Sequence, residues 1–288
     1  VKHLCLLHRI GQTLIMIVIQ ASEVAALCGL NPYKDEAQAR QDMINRNMGL
    51  RSTDSIRTSE ICSKDKSLSE LKNKIRSSQG KTQNTGQVAV LTESINKEVS
   101  RIESDKISKI SDKLEADSSK ITSDGPITRS KQKKLDMLNK EAEEARKKVE
   151  SESLHMVKVL KSDVNTSFGT RKETNVGKIY ESMTYTTLHK DNKCNYWHLC
   201  PTAKVVGKFD GFNSNGTLVE IKNRMRRLFG KVPEYERTQV HVHMKMADVD
   251  KAHLVEGHDG KVMIHDVEMD SEFMDQIETK LLNIVSSI

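Results

Sequence analysis

Asp210, Glu220 and Lys222 are the residues of this chain whose types and spacing suggest chemistry. Two carboxylates about a strand spacing apart repel and raise each other's pKa unless a cation lies between them. Mg²⁺ or Mn²⁺ is the natural cation: a hard ion that takes oxygen ligands, keeps several waters and binds phosphates through one or two carboxylates. Such an ion activates a water, orients a phosphodiester and neutralises charge developing on its oxygens. Lys222 would then hold or deprotonate the attacking water, or stabilise the charged phosphorane, with the metal keeping its pKa low. The plainer alternative is an amphipathic hairpin whose three charges face solvent.

The element that must position these groups is a β-hairpin within residues 204–227. Val219 and Ile221 alternate with Glu220 and Lys222, so one strand face is apolar and the other carries a carboxylate beside an amine. In the preceding strand Phe209 and Gly211 alternate with Lys208, Asp210 and Phe212. A one-residue slip in pairing sends a side chain to the other side of the sheet. A two-residue Asn215-Gly216 turn pairs Gly211 with Glu220. A three-residue loop, 214–216, pairs Asp210 with Glu220 and puts Gly216 in the left-handed conformation. The three-residue loop is expected, with Phe209, Val219 and Ile221 in the core. Arg224, Arg226, Arg227 and Lys231 follow, where they would hold phosphates flanking a scissile bond; a charged surface loop is the alternative.

Asp210, nine residues, then Glu220-Ile221-Lys222 resembles the Asp and (Asp/Glu)-x-Lys signature of the restriction-endonuclease-like, PD-(D/E)XK superfamily. Within it, the chain is most similar to the YqaJ or lambda-exonuclease-like viral recombinase nucleases. Residues 21–34, ASEVAALCGLNPYK, are similar to that family's opening. Phe168-Gly169, with Glu173 and then Tyr180-Glu181, resembles its Gly-x-x-x-Glu helix, and Gln239 its helical glutamine. The resemblance covers about residues 20–48 and 165–265. The chain departs from it where the family often has a tyrosine three residues before the glutamine: Glu236 stands there, with Tyr235 one step earlier.

The resemblance implies a metal-dependent deoxyribonuclease, a 5′ to 3′ exonuclease acting on duplex ends in recombination, repair or replication. It makes Glu173 a third acidic contributor beside Asp210 and Glu220, and gives Gln239 the orientation of groups around them. It places Ser22, Tyr33 and Lys34 against the DNA end. The implied partners are DNA, further copies of the chain, and a single-strand annealing or replication protein, with no membrane. A structure-specific or single-strand nuclease of the same superfamily is the nearest alternative. A DNA-binding or assembly protein that keeps the fold without hydrolysis is the alternative from a different class. For Glu173 the plainer reading is a first-turn residue favoured by a helix dipole. For Ser22 it is an N-cap on a short helix over residues 23–28.

The rest of the chain fits around this reading. With 288 residues, one or two domains are expected. The fold class is α/β (α+β): a restriction-endonuclease-like core, a mixed sheet flanked by helices, with a long helical or disordered insertion. Residues 1–48 would form the N-terminal part of the nuclease domain, 49–164 the charged insertion and 165–288 the catalytic core. No Phe, Tyr or Trp occurs between residues 34 and 167, so disorder is expected over 51–87. Beyond it, Ile95, Val99, Ile102, Ile107, Ile110 and Leu114 make one helical stripe. Leu135, Leu138, Ala142, Ala145 and Val149 make a second, extended by Met156 and Leu160, with Gly125-Pro126 as the break of a hairpin arm. The basic start of the second stripe at Arg129, Lys131, Lys133 and Lys134 would track phosphates or lie as a solvated face.

A net charge of +6 suits a polyanionic partner. Five irregularly spaced cysteines argue for a reducing compartment, the cytoplasm or nucleus, including that of a virus-infected host. Cys194, His198 and Cys200 lack a fourth ligand in a matching pair and read as thiols and a histidine on a strand. The chain begins at Val1, so a missing true start is expected. The apolar run 14–19 is shorter than a bilayer span and reads as a buried element leading into Ser22. His241 and His243, two residues apart on a helix, point to different sides and make a poor metal pair.

Overall fold

The computed structural model describes residues 16–50, 52–79, 84–123, 125–191 and 193–288. In chain order the elements are β1 (Ile17–Gln20), α1 (Ala21–Leu27), α2 (Glu36–Asn47), α3 (Thr53–Lys64), α4 (Lys66–Gln79), α5 (Thr85–Thr122) and α6 (Arg129–Thr184). They continue with β2 (Leu188–His189), β3 (Asn195–Cys200), β4 (Ala203–Gly207), β5 (Gly211–Asn213), β6 (Leu218–Asn223), α7 (Glu234–Ala247), β7 (Lys251–His258), β8 (Lys261–Glu268) and α8 (Ser271–Ser286). Two compact units result. Of the described residues, one holds those from 16 to 53, Asn175–Lys222 and Leu228–Ile288, and the other holds those within Asp54–Thr174 and Asn223–Arg227.

The first unit is the expected mixed α+β core, built on two sheets. One is ordered β1-β4-β3 and the other β2-β5-β6-β7-β8. β1 runs parallel to β4, from Ile17 opposite Ala203 to Gln20 opposite Val206, and β3 runs antiparallel to β4. Ile19, the buried end of the apolar run, joins Val24 and Leu27 of α1, Val205 of β4 and Ile277 and Leu281 of α8 in one cluster. Leu14 and Ile15 of that run lie outside the described residues. α1 begins at Ala21, with Gln20 at the N-cap and no side-chain cap, so Ser22 lies in the first turn instead of capping it. Asp35 does cap α2, accepting from Gln38 N. Asp270 caps α8 by accepting from Phe273 N.

The chain leaves β4 at Gly207 and enters the other sheet as β5 at Gly211. Residues 208–210 make that crossing, which brings Asp210 to the start of β5. That sheet is covered on both faces. Leu218 of β6 packs with Phe209, Val240 and Met244 of α7, and Leu254 of β7. Val219 and Ile221 pack with Val176 and Tyr180 near the end of α6 and with Val255 of β7. Two-sided burial replaces the one-sided hairpin expected from alternation, because a helix covers the polar face as well.

The second unit is helical. Residues 53–64 and 66–79 form α3 and α4 where disorder was expected. Ile61, Leu68, Leu71 and Ile75 recur at helical spacing and are buried against Val88, Ile95 and Val99 of α5 and Met156, Leu160 and Phe168 of α6. Aliphatic residues at that period suffice for a core, at roughly 1.5–3 kcal/mol per buried side chain, so the lack of aromatics did not decide the question. Asn84 caps α5 by accepting from Gln87 N, and Gly125-Pro126 separates α5 from α6. Farther along the arm, Ile110, Leu114, Leu138, Ala142 and Ala145 line a groove of about 400 Å³. Arg146 donates to Ser111 across the two helices at 2.8 Å. No helix among the described residues is long and apolar enough to cross a membrane.

Candidate active site

The register of the hairpin decides what its carboxylates can do together. Gly211 pairs with Val219 and Phe212 with Leu218, and Asn213 N donates to Thr217 O at 3.0 Å, a register that, continued one residue beyond β5, leads Asp210 toward Glu220. The loop is therefore the three-residue one. Gly216 takes φ +81°, a conformation open to glycine at no steric cost, and its N–H donates to Asn213 O at 2.9 Å. Asn213 holds the loop from inside: its Oδ1 accepts from Asn215 N at 3.0 Å and Thr217 N at 2.9 Å. Its Nδ2 donates to the Tyr180 hydroxyl at 3.0 Å, and that hydroxyl meets His253 Nδ1 at 2.7 Å. Asp210 Oδ2 accepts from Ile221 N at 2.6 Å, so the carboxylate is fixed to the β6 backbone beside Glu220.

Glu220 is 4 % exposed, and both of its oxygens are engaged. Oε1 accepts from Lys222 Nζ at 2.7 Å and Oε2 from His243 Nδ1 at 3.1 Å. Lys222 Nζ also donates to Gln239 Oε1 at 3.0 Å. Burial alone would push the Glu220 carboxyl up; the Lys222 charge and the His243 hydrogen bond outweigh it and bring it down to about 2. Burial likewise opposes charge on Lys222, and the Glu220 carboxylate, helped by Glu236 and Asp210, overcomes it and raises the ammonium. In this charge state Lys222 is a fixed donor and not a base.

α7 supplies the third side. Glu236, Gln239 and His243 follow one another at spacings of three and four, which puts them on one helix face. Glu236 and His243 are buried, at 4 % and 2 % exposure. His241 turns elsewhere, its Nδ1 2.9 Å from Arg237 O and its ring 5.2 Å from that of Phe273. Sequence reading missed His243, Asn213 and Tyr180 as parts of the site, and treated Glu236 only as a departure from a pattern. The 236, 239, 243 spacing was the available signal for two of them.

The other sequence-derived residues are placed as follows. Glu173 lies in the helical unit, well inside α6, so it is not the first-turn residue of the plainer reading. Ser22 is exposed on α1. Tyr33 is 73 % exposed, and its ring meets that of Tyr235 edge-on at 5.7 Å. Lys34 pairs with the buried Asp42 at 3.0 Å. Of the basic cluster, Arg226 and Arg227 are exposed, while Arg224 is buried at 8 %. Cys200 Sγ lies 3.4 Å from Thr202 Oγ1, and His198 packs on the Tyr196 ring.

Asp210 and Glu220 offer oxygen donors suited to a hard divalent ion that keeps most of its waters. Among the described residues no group of three or more His, Cys, Asp or Glu side chains is arranged as a metal cage. The fit is thus to a two-carboxylate site, in which Lys222 now supplies the positive charge and would have to release Glu220 Oε1 to a cation.

No protein-family model matches the chain, and no curated protein matches it. Among solved structures it is similar to an alkaline exonuclease, LHK-Exo, from Laribacter hongkongensis. The identity is 16 % and the TM-score 0.39, over 43 % of this chain and 68 % of that one. The same protein in complex with dAMP gives 17 % and 0.36, over 41 % and 65 %. SSO0001 gives 13 % and 0.34, over 44 % and 64 %.

Proposed function

We propose that this chain is a metal-dependent nuclease that hydrolyses phosphodiester bonds of DNA. The observation that carries the reading is the hairpin, where Asp210 accepts from Ile221 N beside Glu220 and Lys222 is in hydrogen-bond contact with both Glu220 and Gln239. A bound Mg²⁺ or Mn²⁺ would lower the pKa of a coordinated water and neutralise phosphate charge. Asp210 and Glu220 would hold it. Gln239 orients the Lys222 ammonium, which is aimed to donate to the attacking water or to a phosphate oxygen. In hydrolysis the water oxygen forms the new P–O bond as the ester P–O bond breaks; the attacking water gives up a proton to solvent, and the departing oxygen takes one from solvent. Arg226 and Arg227 as contacts to flanking phosphates rest on their place in the sequence just after Lys222. Exposed Tyr33, packed against Tyr235 one helical turn from Gln239, is suited to a nucleobase face. Glu173 as a third acidic contributor, Ser22 and Lys34 as DNA contacts, and 5′ to 3′ action on duplex ends rest on the sequence resemblance.

The test is cleavage of end-labelled linear duplex and of a closed circle with Mg²⁺, Mn²⁺ or EDTA, comparing wild type with Lys222→Ala. Metal-dependent loss of label from the linear substrate, lowered roughly 10²- to 10⁴-fold in the variant, is the expected result. Cutting of the circle would make the enzyme an endonuclease. DNA bound without cleavage by either protein would replace the hydrolytic reading with a binding module.

A further inference from the structure

We infer that His243 is a positioning residue that fixes the orientation of Glu220, with the backbone at Gly207 as its backstop. The inference rests on the hydrolytic reading above for its kinetic consequence, and on geometry alone for its structural one. A carboxylate accepts but does not donate, so the 3.1 Å contact makes His243 Nδ1 the donor to Glu220 Oε2. That leaves Oε1 as the oxygen facing Lys222. One carboxylate oxygen is thereby assigned to the protein and the other to the site.

The ring has little freedom to do otherwise. It is 2 % exposed, and its ring meets the Phe209 ring in a T-shaped contact at 5.3 Å. Behind it, a methyl group placed on Gly207 would lie 3.1 Å from His243 Nε2, 3.0 Å from Ala21 Cβ and 3.3 Å from Met246 Cε. A side chain there would make these neighbours give by a few tenths of an ångström. Gly207 of β4 therefore backs the histidine, the histidine orients the carboxylate, and α7 holds both His243 and Gln239 on one face. A second-layer donor of this kind typically changes metal affinity or activity 10- to 100-fold when removed.

Two substitutions separate positioning from packing. His243→Leu keeps an apolar body of similar size and removes the donor, and His243→Asn keeps an N–H near the place of Nδ1. The full chain is assayed for cleavage of linear duplex at saturating Mg²⁺, and for Mn²⁺ binding by calorimetry without DNA. For the leucine variant kcat is expected to fall 10- to 100-fold and Mn²⁺ affinity by a similar factor, with KM for DNA within about twofold of wild type. Asparagine is expected to restore most of both. A leucine variant equal to wild type, or an asparagine variant no better than leucine, overturns the inference.

Should wild type itself cleave nothing, the hydrolytic reading fails alone. Crystal structures of wild type and His243→Leu then decide the inference: Glu220 Oε2 displaced supports it, and an unmoved carboxylate overturns it. If the leucine variant does not fold, Gly207→Ala, which crowds the ring from behind, is read the same way.

Discussion

Leu160 of the helical unit and Glu220 of the sheet unit are both shut off from solvent, at 0 % and 4 % exposure, among entirely different neighbours. Leu160 lies in an apolar cluster drawn from four helices, most of it Ile, Leu and Val, with Met156 and Phe168. Glu220 lies between a lysine and a histidine, each bonded to one of its oxygens, with Asp210 held on the next residue's N–H. An apolar interior loses stability in proportion to volume removed. A polar one loses it when a partner is removed or a proton is added. The first kind of burial builds a scaffold, and the second holds groups in readiness.

The largest effect that would test this contrast is a cavity. Leu160→Ala should lower unfolding free energy by about 2–5 kcal/mol, and by the same amount at pH 7 and at pH 4, in urea unfolding followed by circular dichroism. A loss that grew with acidity would place an unrecognised titrating group in that core. Next is the proton itself. Glu220 is more acidic folded, at about 2, than its ordinary 4.5, so its stabilisation is complete above about 4.5 and drains away as pH falls toward 2. The shift corresponds to about 3 kcal/mol, and Glu220→Gln should remove that part of the acid dependence. Equal acid slopes for wild type and variant would break the contrast. The smallest effect belongs to the arm surface, where Lys147 and Glu143 form an exposed pair at 2.7 Å. Lys147→Gln should leave the melting temperature unmoved, since such pairs are screened and entropically costly.

How far each region could be read from sequence follows the same division. The hairpin was legible because Ser214-Asn215-Gly216 has the chemistry of a three-residue loop, and because Glu220-x-Lys222 fixes which residues share a face. His243 was illegible as a partner of Glu220 because the two are 23 residues apart and meet only when α7 covers β6. Comparing it with His241 asked the wrong question, since helical neighbours two apart diverge. α3 and α4 were missed because aromatic content was weighed above the period of Ile61, Leu68, Leu71 and Ile75. The break at Gly207 left little local signal: sequence alternation continues through residues 208–210 while the chain changes sheets.

The three-residue loop also constrains how this hairpin can change length. Asp210 and Glu220 are each separated from the loop by three residues, one step past the last pair of the hairpin, Gly211 with Val219. A longer hairpin that keeps the pair opposed must add one residue to each arm. The separation between the two acids can then grow only in steps of two, so its parity is part of the motif. A lone insertion between them must be absorbed by a bulge or a different loop, or the acids part company.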